Sequence, residues 1–139
     1  MSRSGYTDDC DDYLALGRWK AQVNSAIRGK RGQSFFRNLV AALDAMPEKR
    51  LVTSVLQDPQ GEVCVLGAAL KHAGKECPIM EDEDDFDSDW TAAQLDVATQ
   101  LVQETVYMND EGGWNETPED RWARMRRWAA RNLKEPVTT

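Results

Sequence analysis

Nine consecutive positions, Glu81 to Asp89, carry seven carboxylates, with Phe86 inside the run and Trp90 directly after it. Carboxylates at this density can hold a cation, or stand in for nucleic-acid phosphates toward a basic groove on another protein. The calcium option fails on spacing, because the Asp-x-Asp-x-Asp-Gly pattern with its closing Glu is absent and no glycine supplies the sharp turn. What remains is a partner-binding surface made of Asp82, Glu83, Asp84, Asp85, Phe86, Asp87, Asp89 and Trp90, with the two aromatic residues as anchors. The plain structural alternative is a solvated loop, which is what charge runs usually form.

A second group is basic. Arg28, Lys30 and Arg31 cluster around Gly29 and Gly32, and the last helical stretch interleaves Arg121, Arg124, Arg126, Arg127 and Arg131 with Trp122 and Trp128. The Walker pattern is not met and no strand precedes the glycines. Arg28, Lys30, Arg31, Arg124, Arg127 and Arg131 therefore make an alternative anion-binding set, suited to nucleic acid or a nucleotide phosphate. Against that reading, the tryptophans fall on the stripe that should be buried, which leaves the arginines as an ordinary solvated face partly paired with Glu119 and Asp120. The cations near Gly29 also suit the C-terminal end of the preceding helix dipole.

Familiar catalytic arrangements are missing. His72 is the only histidine, no Gly-x-Ser-x-Gly elbow accompanies it, and its place near a helix end fits capping. Cys64 lies between Val63 and Val65, where a thiol behaves as a small hydrophobe. Cys10, Cys64 and Cys77 are too far apart and too few for a disulfide framework or a zinc site. No catalytic residue, metal ligand or cofactor is assigned, and the chain is read as a binding protein rather than an enzyme.

The elements that must position these groups are helical. Leu16, Trp19, Val23 and Ile27 recur at helical spacing from about Asp12 until Gly29 and Gly32 break the pattern, and a second helix opens at Gln33 with Phe35, Phe36, Leu39, Val40 and Leu43 on its stripe. Residues 51–65 suit a small β-hairpin turned by Asp58, Pro59, Gln60 and Gly61, with a helical alternative for either arm left open. Leu66, Ala69 and Leu70 suggest a short buried helix closed by Gly74. Trp90 to Met108 reads as a short helix, a break at Asp96 and a longer helix. A helix-turn-helix reading of that break fails because Thr99, Gln100, Gln103 and Glu104 offer no cation to phosphate. Thr117, Pro118, Glu119 and Asp120 are strong start signals for a final helix whose buried stripe is Trp122, Met125, Trp128, Ala129 and Leu133.

The 139 residues, 41% hydrophobic and 29% charged, match one globular domain. The expectation is a mainly α, compact domain of four to six helices over residues 12–133, with an acidic loop at 81–89, a flexible N-terminal segment at 1–11 and a flexible tail at 134–139. No apolar run approaches the roughly 20 residues that span a bilayer, and no signal-peptide stretch opens the chain, so a cytoplasmic location is expected. The net charge of −7 resides in the acidic run, and the rest of the chain is balanced.

Several phrases carry a likeness: Ser4-Gly5-Tyr6-Thr7-Asp8-Asp9, Ser25 to Gln33, Ala42 to Leu51, Val63 to Ala68, and Tyr107 to Glu111 followed by Glu116 to Glu119. They resemble a group of small uncharacterised proteins encoded by bacteriophages and prophages. The resemblance spans most of the chain, and the expansion at 81–89 departs from it. It implies a context: an accessory protein in a bacterial host cell that binds a host or phage protein, inhibition of a defence complex such as CRISPR being one form.

Overall fold

The computed structural model describes residues 3–4 and 13–135. Among the described residues six helices follow one another: α1 (Tyr13–Arg28), α2 (Lys30–Ala45), α3 (Val65–His72), α4 (Ser88–Leu95), α5 (Thr99–Asp110) and α6 (Pro118–Arg131), with a 3₁₀ turn at Glu83–Asp85. α2 is the first organising element, because Phe36, Leu39 and Leu43 on its stripe are fully buried. It packs against α3 on one side and α6 on the other. α5 is the second, contributing Leu101, Val102 and Val106 to the same interior and contacting α1, α3, α4 and α6. The domain is compact and all-helical.

α6 runs antiparallel to α2. Trp122 Nε1 donates to the Leu43 carbonyl at 3.1 Å, Arg126 pairs with Asp44 at 2.7 Å, and Gln33 Nε2 reaches the Asn132 carbonyl at 3.0 Å. The start signals act as anticipated, with the Thr117 hydroxyl accepting from Asp120 N at 3.0 Å. Met125, Trp128 and Ala129 are buried, and Phe36 meets Trp128 edge-on at 5.2 Å, a favoured aromatic geometry. Trp19 and Trp122 are half-buried.

Two readings of local sequence are corrected. Gly29 alone separates α1 from α2, and Gly32 lies inside α2, where an added Cβ would overlap the Ala26 carbonyl oxygen. Gly32 thus permits a close helix approach rather than breaking a helix. Only Arg28 sits in the last turn of α1, while Lys30 and Arg31 occupy the first turn of α2, the end where the dipole disfavours cations.

The second correction concerns 51–65. Among the described residues there is no β-strand, only isolated bridges of Gln57 to Val63 and to Ile79. The chain does reverse at Asp58, whose carboxylate accepts from Gln60 N and Glu62 N, and Gly61 takes φ +86. The two arms do exchange backbone bonds, Val52 N to the Val63 carbonyl, Cys64 N to the Leu56 carbonyl and Asp58 N to the Glu62 carbonyl. No continuous ladder forms, because Leu51 N is taken by the Pro118 carbonyl, the Leu51 carbonyl by Arg121 and the Val52 carbonyl by Asn109. Val65 has already entered α3.

α3 ends at Gly74 with φ +71, and α4 ends at Asp96 in the left-handed region, φ 55. Helix α5 is a packed central element, its Gln100 facing Gln22 of α1 at 3.4 Å. At the N-terminus, Arg3 and Ser4 are buried, whereas the polar character of 1–11 suggested little to bury. The remainder of that segment, and residues 136–139 of the tail, lie outside the described residues. Lys134 and Glu135 are exposed, and Lys134 N donates to Gln33 Oε1 at 2.9 Å. No helix among the described residues is long and apolar enough to cross a membrane.

Candidate functional site

The acidic segment is folded by its own carboxylates. Asp82 accepts from Asp84 N at 2.9 Å and opens the 3₁₀ turn, and Asp87 accepts from Trp90 N at 3.0 Å and caps α4. Asp89 accepts from the Thr99 hydroxyl at 2.9 Å. Three of the carboxylates are therefore spent on shaping the backbone, which explains how a run of like charges holds a defined path. Glu81, Asp84 and Asp85 project from it, exposed, and Glu83 is partly covered. Among the described residues none of the seven makes an ion pair with Lys or Arg.

Phe86 and Trp90 are both half-buried and pack on the edge of the core. They tie the acidic segment to the core and leave part of each ring at the surface. No group of three or more His, Cys, Asp or Glu able to hold a metal ion occurs among the described residues.

The basic set is divided. Arg31 is committed to Asp96, 3.3 Å to the carboxylate and 3.0 Å to the carbonyl. Arg124 is committed to Glu116 at 2.6 and 3.0 Å and to the carbonyls of Met108 and Asn109. Arg28, Lys30, Arg127 and Arg131 are exposed, and so is Arg31 despite its pair with Asp96. The Gln33 side chain, bonded to the carbonyls of both Ile27 and Asn132, brings the α1–α2 junction beside the end of α6.

Two cysteines lie among the described residues, one buried and one partly covered. Cys64 is fully buried. Burial pushes the Cys77 thiol up to about 11, with Cys64 nearby adding to the effect and Lys71 opposing it, so little thiolate forms at neutral pH. His72 is exposed at the end of α3. It lines an open cleft of about 530 Å³ together with Met46, Glu48, Glu62 and Lys71. None of the ionisable side chains of that cleft hydrogen-bonds another.

No family model, curated protein or solved structure matches this chain. Two residues that the sequence does not mark stand out in the structure, one at the surface and one in the interior. Trp114 is 97% exposed in the α5–α6 loop, and the preceding Gly112-Gly113 was the only local hint of a tight projecting turn. Arg3, in a segment read as mobile, has a side chain with no exposed surface, paired to Asp110 at 2.7 Å. A composition argument has no means of detecting a single cation that is recruited into the interior.

Proposed function

We propose that the chain works by macromolecular binding, presenting the acidic segment 82–90 to a basic surface on a partner protein. The observation that supports this is a dense group of carboxylates, none of which makes an ion pair with Lys or Arg among the described residues, on a backbone that its own Asp82 and Asp87 hold in shape. A preshaped charge array loses little entropy on docking and steers a partner of opposite sign. The accompanying context is that of a phage or prophage accessory protein acting on a host or phage protein in the bacterial cytoplasm, an inhibitor of a defence complex being the most concrete form. Asp84 and Asp85 are the informative positions because neither side chain holds the fold. The double variant Asp84→Lys, Asp85→Lys is expected to weaken capture of the partner from infected cells at least about tenfold, since juxtaposed like charges are strongly penalised. Its far-UV circular dichroism should match the parent. Undiminished capture removes the acidic surface from consideration.

A second reading, nucleic-acid or nucleotide-phosphate binding, draws on the juxtaposition that Gln33 creates: Arg28 and Lys30 beside the end of α6, where Arg131 lies. Arg124 contributes less to that set because its guanidinium is held by Glu116 and two carbonyls, whereas Arg31, exposed in a surface pair with Asp96, stays in it. Filter retention of DNA or RNA that falls steeply with salt is the expected result on this reading, because bound phosphates release counterions. Absence of retention at low salt eliminates it.

A further inference from the structure

Where the end of α5 meets the start of α3, a guanidinium group fills a closed socket. Asp110, the last residue of α5, takes Arg3 Nε on one carboxylate oxygen at 2.7 Å and Nη2 on the other at 2.8 Å. The Phe86 ring lies 5.3 Å from the guanidinium carbon, and Cys64 Sγ stands 3.5 Å from Nη1. The receiving carboxylate is also held by groups other than Arg3. Asp110 Oδ1 accepts from Ser54 N at 3.2 Å and from Asn109 Nδ2 at 2.9 Å, and Asn109 is fixed in turn by Val65 N and the Val52 carbonyl. The walls thus come from α5, from the ends of the 51–65 segment and from the acidic segment.

A carboxylate presented edge-on to a planar fork, an aromatic face and a polarisable sulfur together recognise guanidinium and discriminate against ammonium, which offers a point charge and no plane. We propose that this socket is a guanidinium-binding site, occupied in cis by Arg3 and able to take the guanidinium of an arginine side chain in trans. Phe86 lies between Asp85 and Asp87, so the occupant of the socket bears directly on the ring around which the acidic segment is folded. The inference does not depend on the acidic surface binding anything, because its test contains no partner protein.

The test uses the full chain carrying Arg3→Ala, with methylguanidinium as probe and methylammonium at equal ionic strength as control. Removing Arg3 is expected to raise the alkylation rate of Cys64, followed on its own peptide by mass spectrometry, at least about tenfold as the local cover is lost. Methylguanidinium is expected to restore protection of Cys64 and to raise the melting temperature in a concentration-dependent way, as any ligand selective for the folded state must. Methylammonium should do neither, and adding Asp110→Asn should abolish the restoration. If Arg3→Ala does not fold, Arg3→Lys keeps a charge at the socket without the fork, and methylguanidinium should slow Cys64 alkylation in that variant. Protection by methylguanidinium no greater than by methylammonium, in either variant, overturns the proposal and leaves Arg3 as a structural tie.

Discussion

Gly67→Ala is expected to destabilise the protein by about 1–3 kcal/mol, the range for overpacking a filled interior, although the same change in an exposed helix interior stabilises. Gly67 lies in the middle of α3, and an added Cβ would overlap the Leu56 carbonyl oxygen and stand 3.0 Å from Val63 Cβ. The first obstacle is backbone and cannot swing aside as a side chain would. That carbonyl already accepts from Cys64 N at 3.2 Å, so the contact can be relieved only by moving α3 away from the 51–57 segment. Leu56, Leu66 and Leu70 are all fully buried across this interface, and separating them forfeits their mutual packing. Gly17→Ala is the matched control. It is exposed in α1 with nothing within 4 Å of the added atom, and should gain about 0.5–1 kcal/mol from reduced backbone entropy. Urea denaturation of both variants reads the difference. Equal gains for the two would mean that α3 does not press on Leu56 as described.

That contrast also shows what sequence could convey about this fold. Helical period located α2, although the helix opens at Lys30 rather than at Gln33, and period together with the start signal Thr117, Pro118, Glu119 and Asp120 located α6. The break at Asp96 and the close at Gly74 were legible for the same reason: left-handed positions select particular residue types. The roles of Gly32 and Gly67 were not legible, since a glycine needed for helix approach and one that ends a helix are the same letter. Residues 51–65 misled through composition. Their β-branched residues suit a strand, but pairing is decided by Pro118, Arg121 and Asn109, which lie more than 40 residues away.

The site divides in the same way. The acidic run was visible as charge, and its carboxylates do lie at the surface, yet the use of Asp82 and Asp87 as caps follows from backbone positions that charge counting ignores. The basic set was read as one group. The structure pairs Arg124 with Glu116 and, in an exposed surface pair, Arg31 with Asp96, two partners that charge counting does not assign. Arg3 could not be anticipated at all, because the signal that buries it is Asp110 more than a hundred residues later.

Arg124→Met is expected to cost about 1–3 kcal/mol at neutral pH, between the values for an exposed and a fully buried ion pair, because the Arg124–Glu116 pair is partly buried, and to flatten the loss of stability in acid. Arg124 clasps both oxygens of Glu116 and also donates to the carbonyls of Met108 and Asn109, so it ties the end of α5 to the start of α6. Methionine keeps the length of the chain but none of the donors. Gly112 lies against this clasp, since a Cβ there would overlap the Glu116 carboxylate, so the loop has no slack with which to rebuild it. The hydrogen bond from Arg124 holds the Glu116 carboxyl below the usual range, with burial opposing and the charges of Arg124 and Arg121 assisting. A carboxyl whose folded value is depressed contributes stability above its unfolded value, about 4.3 for Glu, and that contribution disappears as pH falls through the folded value. The parent should therefore lose stability progressively below about pH 4 in denaturant titrations, and Arg124→Met, already without the clasp, should lose less over the same interval. Arg126→Met is the contrasting variant. Its pair with Asp44 also lowers the Asp44 carboxyl, chiefly through the Arg126 hydrogen bond, but Asp44 is half-exposed, and such surface pairs contribute at most about 1 kcal/mol. If Arg126→Met proved as costly as Arg124→Met, or if Arg124→Met kept the full acid sensitivity of the parent, the Glu116 clasp would not be the main electrostatic tie between α5 and α6.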